Sequence, residues 1–226
     1  MLGLVTIGQA PRDDVTASMF GVGDVAFVEA GALDGLSDAD IAALAPADSD
    51  HVLVTRLTDG REVVVAKERL LPLVQAAVDR VVDQGATVVC VLCTGAFPEL
   101  SASVLLVFPD RLLSGVVDAT LPSGKLGVVM PHPGQHESMM AKWTTAERSV
   151  ITDSVSPYAG GDVGAVVARL RAARVNAIVL DCMGFNRSML AEAREEFDGP
   201  VFLANGVVGA ILSEMTATAR KPVGAG

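Results

Sequence analysis

The sequence predicts an α/β protein made of two similar halves, and three observations predict it. Half of the 226 residues are hydrophobic, with mean hydropathy +0.45, and only 4% are aromatic. A supply drawn mostly from Val, Ala and Leu suits parallel strands buried on both faces. Strand-length apolar runs then alternate with helical patterns along the chain, the order expected of βαβ crossovers. Finally, one pattern is written twice, 89 residues apart, over Val78–Gly95 and Val167–Gly184. Arg80 and Arg169 each stand 13 residues before Cys93 and Cys182, and Gly95 and Gly184 each stand two after. Each copy reads as a helix, a short turn, an apolar strand and a thiol at the strand's end.

In chain order, Leu2 to Gly8 is an apolar strand ending in glycine, and Pro11 opens the helix behind it, since proline is tolerated in a first helical turn. Val25 to Val28 reads as a second strand. Ser37 is a good N-cap for a short helix through Leu44, with Asp38 and Asp40 complementing its dipole. From His51 to Val65 two alternating runs flank Asp59-Gly60, a hairpin signal. Lys67 to Gln84 carries Leu70, Val74, Ala77, Val78 and Val81 at helical spacing, and Gly85 stops it. A strand over Thr87–Leu92, the Cys93 loop, a strand over Val104–Phe108 and a helix over Pro109–Val117 follow. Leu121 to Lys125 is a linker.

Beyond it come a strand at Leu126–Pro131, a loop over His132–Gln135 and a helix containing Met139, Met140 and Trp143. Strands at Val150–Val155, Ala177–Leu180 and Val201–Ala204 then alternate with helices at Asp162–Ala173, Arg187–Glu196 and Val207–Ala217. The expected division is residues 1–98 plus 206–226 in the first half and 99–205 in the second. The last helix should return to pack on the first half.

Several function classes are disfavoured. The N-terminus lacks a basic segment followed by an apolar stretch and a cleavage site, and no apolar run approaches the roughly 20 residues that span a bilayer, so a cytoplasmic protein without membrane contact is expected. A net charge of −10 and pI near 4.7 argue against nucleic acid, which needs a basic stripe. Three cysteines make no disulfide framework. Cys90 and Cys93 spell C-x-x-C, but three residues along a strand separate Cα atoms by about 10 Å, beyond the roughly 7 Å that a disulfide bridges. Cys90 is therefore expected in the core. His132 and His136 are four apart, yet Pro133 and Gly134 intervene and no third ligand is evident, so no metal is expected. No Gly-x-Ser-x-Gly elbow is present, and no Gly-x-Gly-x-x-Gly follows the first strand, Gly21-Val22-Gly23 coming after a helix instead. A serine hydrolase and a nucleotide cofactor are disfavoured accordingly.

The chemistry concentrates in two loops, Cys93-Thr94-Gly95 and Cys182-Met183-Gly184. A thiol just past a strand and just before a helix faces the positive end of the helix dipole, which lowers its pKa, while glycine lets backbone N–H groups approach an anion. Two matched thiols in two matched halves suit two-base proton transfer across a cleft. In the loop after the first strand, Gly8 and Gln9 are expected to touch substrate and Arg12 to clamp its carboxylate, since a guanidinium fork fits that geometry. Arg56 and Arg187 are lesser candidates. His132, at a strand end, is a further substrate contact. Asp181 is read as holding the Cys182 thiol protonated, orienting a loop amide or capping a helix.

Cys93-Thr94-Gly95-Ala96-Phe97 and Leu180-Asp181-Cys182-Met183-Gly184-Phe185, with the opening Leu4-Val5-Thr6-Ile7-Gly8, resemble the AroM family, which is similar to the aspartate, glutamate and hydantoin racemase superfamily. The resemblance covers nearly the whole chain. It implies two Rossmann-like halves related by a pseudo-twofold, with mostly parallel sheets and no cofactor. It also implies one cysteine from each half flanking the substrate α-carbon, with Cys93 and Cys182 as the acid/base pair. The chain departs from familiar amino-acid racemases by following its first cysteine with Thr94-Gly95 in place of Asn-Thr, and by carrying Gly8-Gln9-Ala10-Pro11-Arg12 after its first strand. The expected function is a cofactor-independent racemase or isomerase acting on a small carboxylate, with a homo-oligomer left open. The alternatives are a decarboxylase or cis-trans isomerase using one cysteine, and a non-catalytic protein binding a small acid.

Overall fold

The computed structural model describes residues 1–21, 25–48 and 50–216. The first half contains β1 (Leu2–Thr6), α1 (Asp13–Phe20), β2 (Phe27–Gly31), α2 (Asp38–Ala42), β3 (Val52–Arg56), β4 (Glu62–Ala66), α3 (Lys67–Asp83), β5 (Val88–Val91), β6 (Leu105–Val107) and α4 (Pro109–Thr120). The second contains β7 (Gly124–Met130), a 3-10 turn (Pro133–Gln135), α5 (His136–Trp143), β8 (Arg148–Ser154), α6 (Val163–Ala172), β9 (Ala177–Leu180), α7 (Arg187–Glu196), β10 (Val201–Leu203) and α8 (Ala204–Thr216).

Two four-stranded parallel sheets carry the fold, ordered β2-β1-β5-β6 and β10-β9-β7-β8. Read from its other edge the second is β8-β7-β9-β10. That is the first sheet's order with each strand replaced by its counterpart, so the duplication extends to the topology. The expected α/β class with two Rossmann-like halves is what the structure shows. The insertion that breaks the symmetry is the antiparallel hairpin β3–β4, paired from Val52↔Ala66 to Arg56↔Glu62. Gly60 takes φ +91° in its turn, a left-handed conformation that glycine adopts without strain.

Alternation along the strands sorts residues into three layers. Leu4 and Cys90 point into a central core with Val128 and Val179 of the other sheet, shared with helices α1, α4, α5 and α8. Val5, Val89 and Val91 point outward against α3. Val129, Ile178 and Leu180 point outward against α6 and α7. Cys90 is fully buried, as expected of a core residue. Among the described residues no helix is long and apolar enough to cross a membrane.

The element boundaries depart from expectation in places with physical causes. β2 begins at Phe27 and runs to Gly31, because its register is set by pairing Leu2↔Phe27 through Thr6↔Gly31, and Val25 falls outside it. β6 pairs with β5, so the first sheet runs past the expected break after residue 98. α8 starts at Ala204, directly after β10, and it packs on α1 and α4. The expected helix end at Ala217 and the Val22-Gly23 pair lie outside the described residues. Ser37 caps α2 as expected, its hydroxyl accepting from Asp40 N–H while the Asp40 carboxylate accepts from Ser37 N–H.

Gly209 is where α8 crosses α1, close enough that a Cβ there would collide with the Met19 backbone. Gly209→Val should therefore force the helices apart and destabilise the fold by about 1–3 kcal/mol. Thermal denaturation followed by circular dichroism should show Tm falling by about 2–4 °C for each kcal/mol in a chain of this size.

Candidate active site

Each cysteine lies two residues past a central strand, Cys93 beyond β5 and Cys182 beyond β9. Both thiols line a single cavity of about 490 Å³ at the carboxyl ends of the strands, the usual place for ligands in α/β sheets. Its walls are mostly apolar. The hairpin strand β3 contributes Val52 through Thr55 to one wall.

The two cysteine loops are joined by a buried polar network. The Asp181 carboxylate, almost fully buried, accepts from Trp143 Nε1 at 2.7 Å and from Lys142 Nζ at 3.0 and 2.9 Å. The same Lys142 ammonium donates to the Thr94 carbonyl at 3.0 Å, and Thr94 Oγ1 donates to the Asp181 carbonyl at 3.2 Å. Asn205, fully buried at the start of α8, donates to the carbonyls of Met183 and Phe185 and accepts from Ser18 Oγ. Asp181 therefore ties the Cys182 loop to α5 and, through Lys142, to the Cys93 loop. It caps no helix, and its charge adds to the upward push that keeps both thiols protonated.

Burial dominates the thiols' acidity. It pushes Cys93 up to about 12, with a partial offset from the Gly95 N–H that donates to its sulfur at 3.3 Å. Burial likewise raises Cys182, to about 11, opposed by the Gly184 N–H at 3.4 Å, the Tyr158 hydroxyl and the Arg12 charge. The expected lowering by helix dipoles is not found, for a structural reason. No helix follows Cys93 before Pro109, and α7 starts at Arg187, capped by Asn186. The glycine amides face their own loop's sulfur, where they favour the thiolate.

Arg12 is buried at the start of α1, but its fork is already taken. Nε and Nη2 donate to the two Asp14 carboxylate oxygens at 2.8 and 2.9 Å, Nη1 donates to Thr6 Oγ1, and Nη2 donates to the Tyr158 hydroxyl at 3.1 Å. That hydroxyl lies 3.9 Å from Cys182 Sγ. Instead of a free carboxylate clamp, Arg12 is a bracket that holds a phenol beside a thiol.

Of the other expected contacts, Thr94, Gly95 and Met183 line the cavity. Gly184 lies against Tyr158, and a Cβ there would collide with the tyrosine's ring and hydroxyl. Gly8 and Gln9 serve the hairpin. Gly8 passes so near Thr55 and the Arg56 carbonyl that a Cβ would not fit, and Gln9 Oε1 accepts from Thr58 N–H at 2.9 Å. His132 accepts from Gly134 N–H within its own turn and does not line the cavity, whereas Gln135 three residues on does. Arg56 reaches Asp14, at 3.7 Å, and Arg187 donates to the Ser18 carbonyl. No cluster of three metal-ligating side chains occurs among the described residues.

Sequence reasoning missed Tyr158, Lys142 and Gln135. Tyr158 is the chain's one tyrosine and lies in the loop after β8, at the carboxyl end of a parallel strand. Position alone was a usable signal for it. Lys142 and Gln135 flank the apolar face of α5 and carry no comparable mark.

A family model described as "AroM protein" matches residues 2–216. No curated protein matches the chain in sequence. Among solved structures, unliganded arylmalonate decarboxylase is similar over 100% of this chain and 95% of its own, with TM-score 0.62 and 13% identity. Aspartate racemase of Picrophilus torridus is similar over 97% and 95%, with TM-score 0.58 and 11% identity. A maleate cis-trans isomerase mutant of Nocardia farcinica, with a covalently bound succinylcysteine intermediate, is similar over 94% and 91%, with TM-score 0.55 and 14% identity.

Two measurements test the site's electrostatics. Iodoacetamide mapping of native protein should find Cys182 labelled ahead of Cys93 and Cys90 protected, with Cys182 labelling rising about tenfold per pH unit above neutrality because the thiolate is the nucleophile. Lys142→Met should cost about 3–5 kcal/mol, since it strips a buried carboxylate of its cation, and adding Asp181→Asn should restore part of the lost Tm.

Proposed function

The chain belongs to the AroM family, and from that premise we propose that it is a racemase- or isomerase-type enzyme that moves a proton at the α-carbon of a small carboxylate, with Cys93 and Cys182 as the acid/base pair. One observation carries this reading: thiols from corresponding loops of the two halves line one cavity. The similarity in fold to an aspartate racemase, a maleate cis-trans isomerase and arylmalonate decarboxylase supports it.

In the proposed step, one thiolate removes the α-proton, so that a C–H bond breaks, an S–H bond forms and the electron pair passes into the substrate as an enediolate. The opposite thiol then gives its proton to the other face and becomes the thiolate. The two cysteines exchange protonation states, and the reverse reaction restores them. Cys182 is the natural base of the free enzyme, because the Gly184 amide, the Tyr158 hydroxyl and Arg12 all favour its charged form, whereas Cys93 has the higher value. This proton transfer needs no cofactor, since the carboxylate itself receives the electron pair.

The same asymmetry favours a second reading. Tyr158 stands beside Cys182, and a reaction with one working thiol, such as decarboxylation or cis-trans isomerisation, would use Cys182 with Tyr158 and leave Cys93 as wall.

Proton exchange in D₂O, measured by NMR on a panel of small amino, hydroxy and keto acids, separates these readings. For a two-base racemase, Cys93→Ser and Cys182→Ser should each reduce racemisation by about 10²- to 10⁴-fold, the usual worth of a general acid or base. Either variant should retain exchange on one enantiomer. One-thiol chemistry tolerates Cys93→Ser and fails with Cys182→Ser. A binding protein keeps its affinity in both variants and shows no turnover. For the enzyme, kcat/KM should climb about tenfold per pH unit from 7 toward 11 as Cys182 ionises, and should fall above about 12 as Cys93 loses its proton.

A further inference from the structure

The cavity's charges are unevenly committed. All three Lys and Arg side chains on its walls have anionic partners: Arg12 bonds Asp14, Lys142 bonds Asp181, and Lys67 stands 3.5 Å from Glu99. The oxygens there are in the opposite condition. Thr55 Oγ1, Gln135 Oε1 and Asp110 Oδ1 are buried, line the same cavity and have no hydrogen-bond partner.

Gln135 is the most informative of the three. It is 7% exposed, and its Nε2 donates to the Val52 carbonyl at 3.0 Å. A carbonyl accepts and never donates, so the amide cannot reverse without setting oxygen against oxygen. Oε1 is thereby fixed as an acceptor with nothing to accept. Thr55 is fully buried, with a hydroxyl in the same condition. Asp110, in the first turn of α4, has a carboxyl that burial raises above the usual carboxylate range. Lys142 attracts that carboxyl, but its ammonium is already bonded to Asp181 and the Thr94 carbonyl. An unpartnered buried acceptor costs about 1–3 kcal/mol, a cost that a bound donor removes.

We infer that the non-reacting arm of the ligand carries neutral hydrogen-bond donors, as a primary amide or ureido group does, and that Gln135 and Asp110 select it over a second carboxylate. The inference rests on the reading of this cavity as the substrate site. A dicarboxylate would bring a second anion to a wall whose cations are committed and whose free groups are two acceptors, Gln135 Oε1 and Asp110 Oδ1, and a single hydroxyl, that of Thr55. An amide arm meets Gln135 Oε1 and Asp110 with N–H groups, while its carbonyl is free to accept from the Thr55 hydroxyl.

Matched pairs that differ only at this arm test the inference, namely succinamate against succinate, malonamate against malonate, and asparagine against aspartate. Affinity is measured by calorimetry on the full chain and on its Cys93→Ser/Cys182→Ser variant, so that binding is read apart from turnover. The amide member should bind at least about tenfold tighter in both proteins, the worth of one satisfied hydrogen bond. Asp110→Asn should narrow the gap by improving the dicarboxylate, and Gln135→Met should narrow it by weakening the amide, with Tm reporting that each variant is folded. Equal or tighter binding of the dicarboxylates overturns the inference, and so does failure of every pair to bind. Proton exchange without an amide preference sinks the inference and spares the acid/base reading. An amide preference without cysteine-dependent exchange does the reverse.

Discussion

One buried carboxylate organises the site. Asp181 sits where a charge is costly, and it is tolerated because an ammonium and an indole N–H converge on it. Both donors come from the last turn of α5, so the end of that helix becomes the fixed point to which the loop after β9 is attached. Lys142 carries the attachment on to the loop after β5 through the Thr94 carbonyl. The two thiols inherit their relative placement from this junction. Packing alone would hold the sheets together, but it would not hold two loops from different sheets in register.

At the sulfurs, the competition between burial and charge is settled in favour of burial. A thiolate in a cavity with apolar walls has lost most of its hydration, and one amide N–H at 3.3 or 3.4 Å recovers only part of that. The outcome is a resting site with both protons in place. Such thiols resist oxidation and adventitious alkylation, and they are poor bases until something at the site favours the anion. The Arg12–Tyr158 bracket acts on one sulfur and not the other, which gives chemically identical residues unequal acidity.

Much of this was legible in the chain and some was not, and the division has a physical basis. The repeated helix-strand-thiol pattern is a one-dimensional signal, and it identified both cysteine loops, the strands that carry them and the matched halves. The hairpin was visible in Asp59-Gly60, and the core position of Cys90 in its strand. Pairings between residues distant in sequence were not visible. Arg12 could be placed near the site, but nothing in its neighbourhood distinguishes an open fork from one closed on Asp14. His132 drew notice by residue type and turned inward to cap its own turn, while Gln135, unremarkable by type, faces the cavity. The expected helix dipoles are not found: a strand already stood between Cys93 and the next helix in the sequence pattern, and the depth of burial that decides the thiols' acidity has no local signature.

The hairpin β3–β4 has consequences beyond the wall it supplies. Its counterpart in the second half is the short loop that carries Tyr158. The two meet where Ser156 Oγ donates to the Glu62 carboxylate. Two identical halves around a half-turn axis would present indistinguishable surroundings to a substrate and to the same substrate turned over. With a strand pair on one side and a phenol on the other, the two orientations are no longer equivalent. Direction thus enters a nearly self-similar molecule through an insertion, so the insertion, more than the repeated frame, sets which way round a guest will sit.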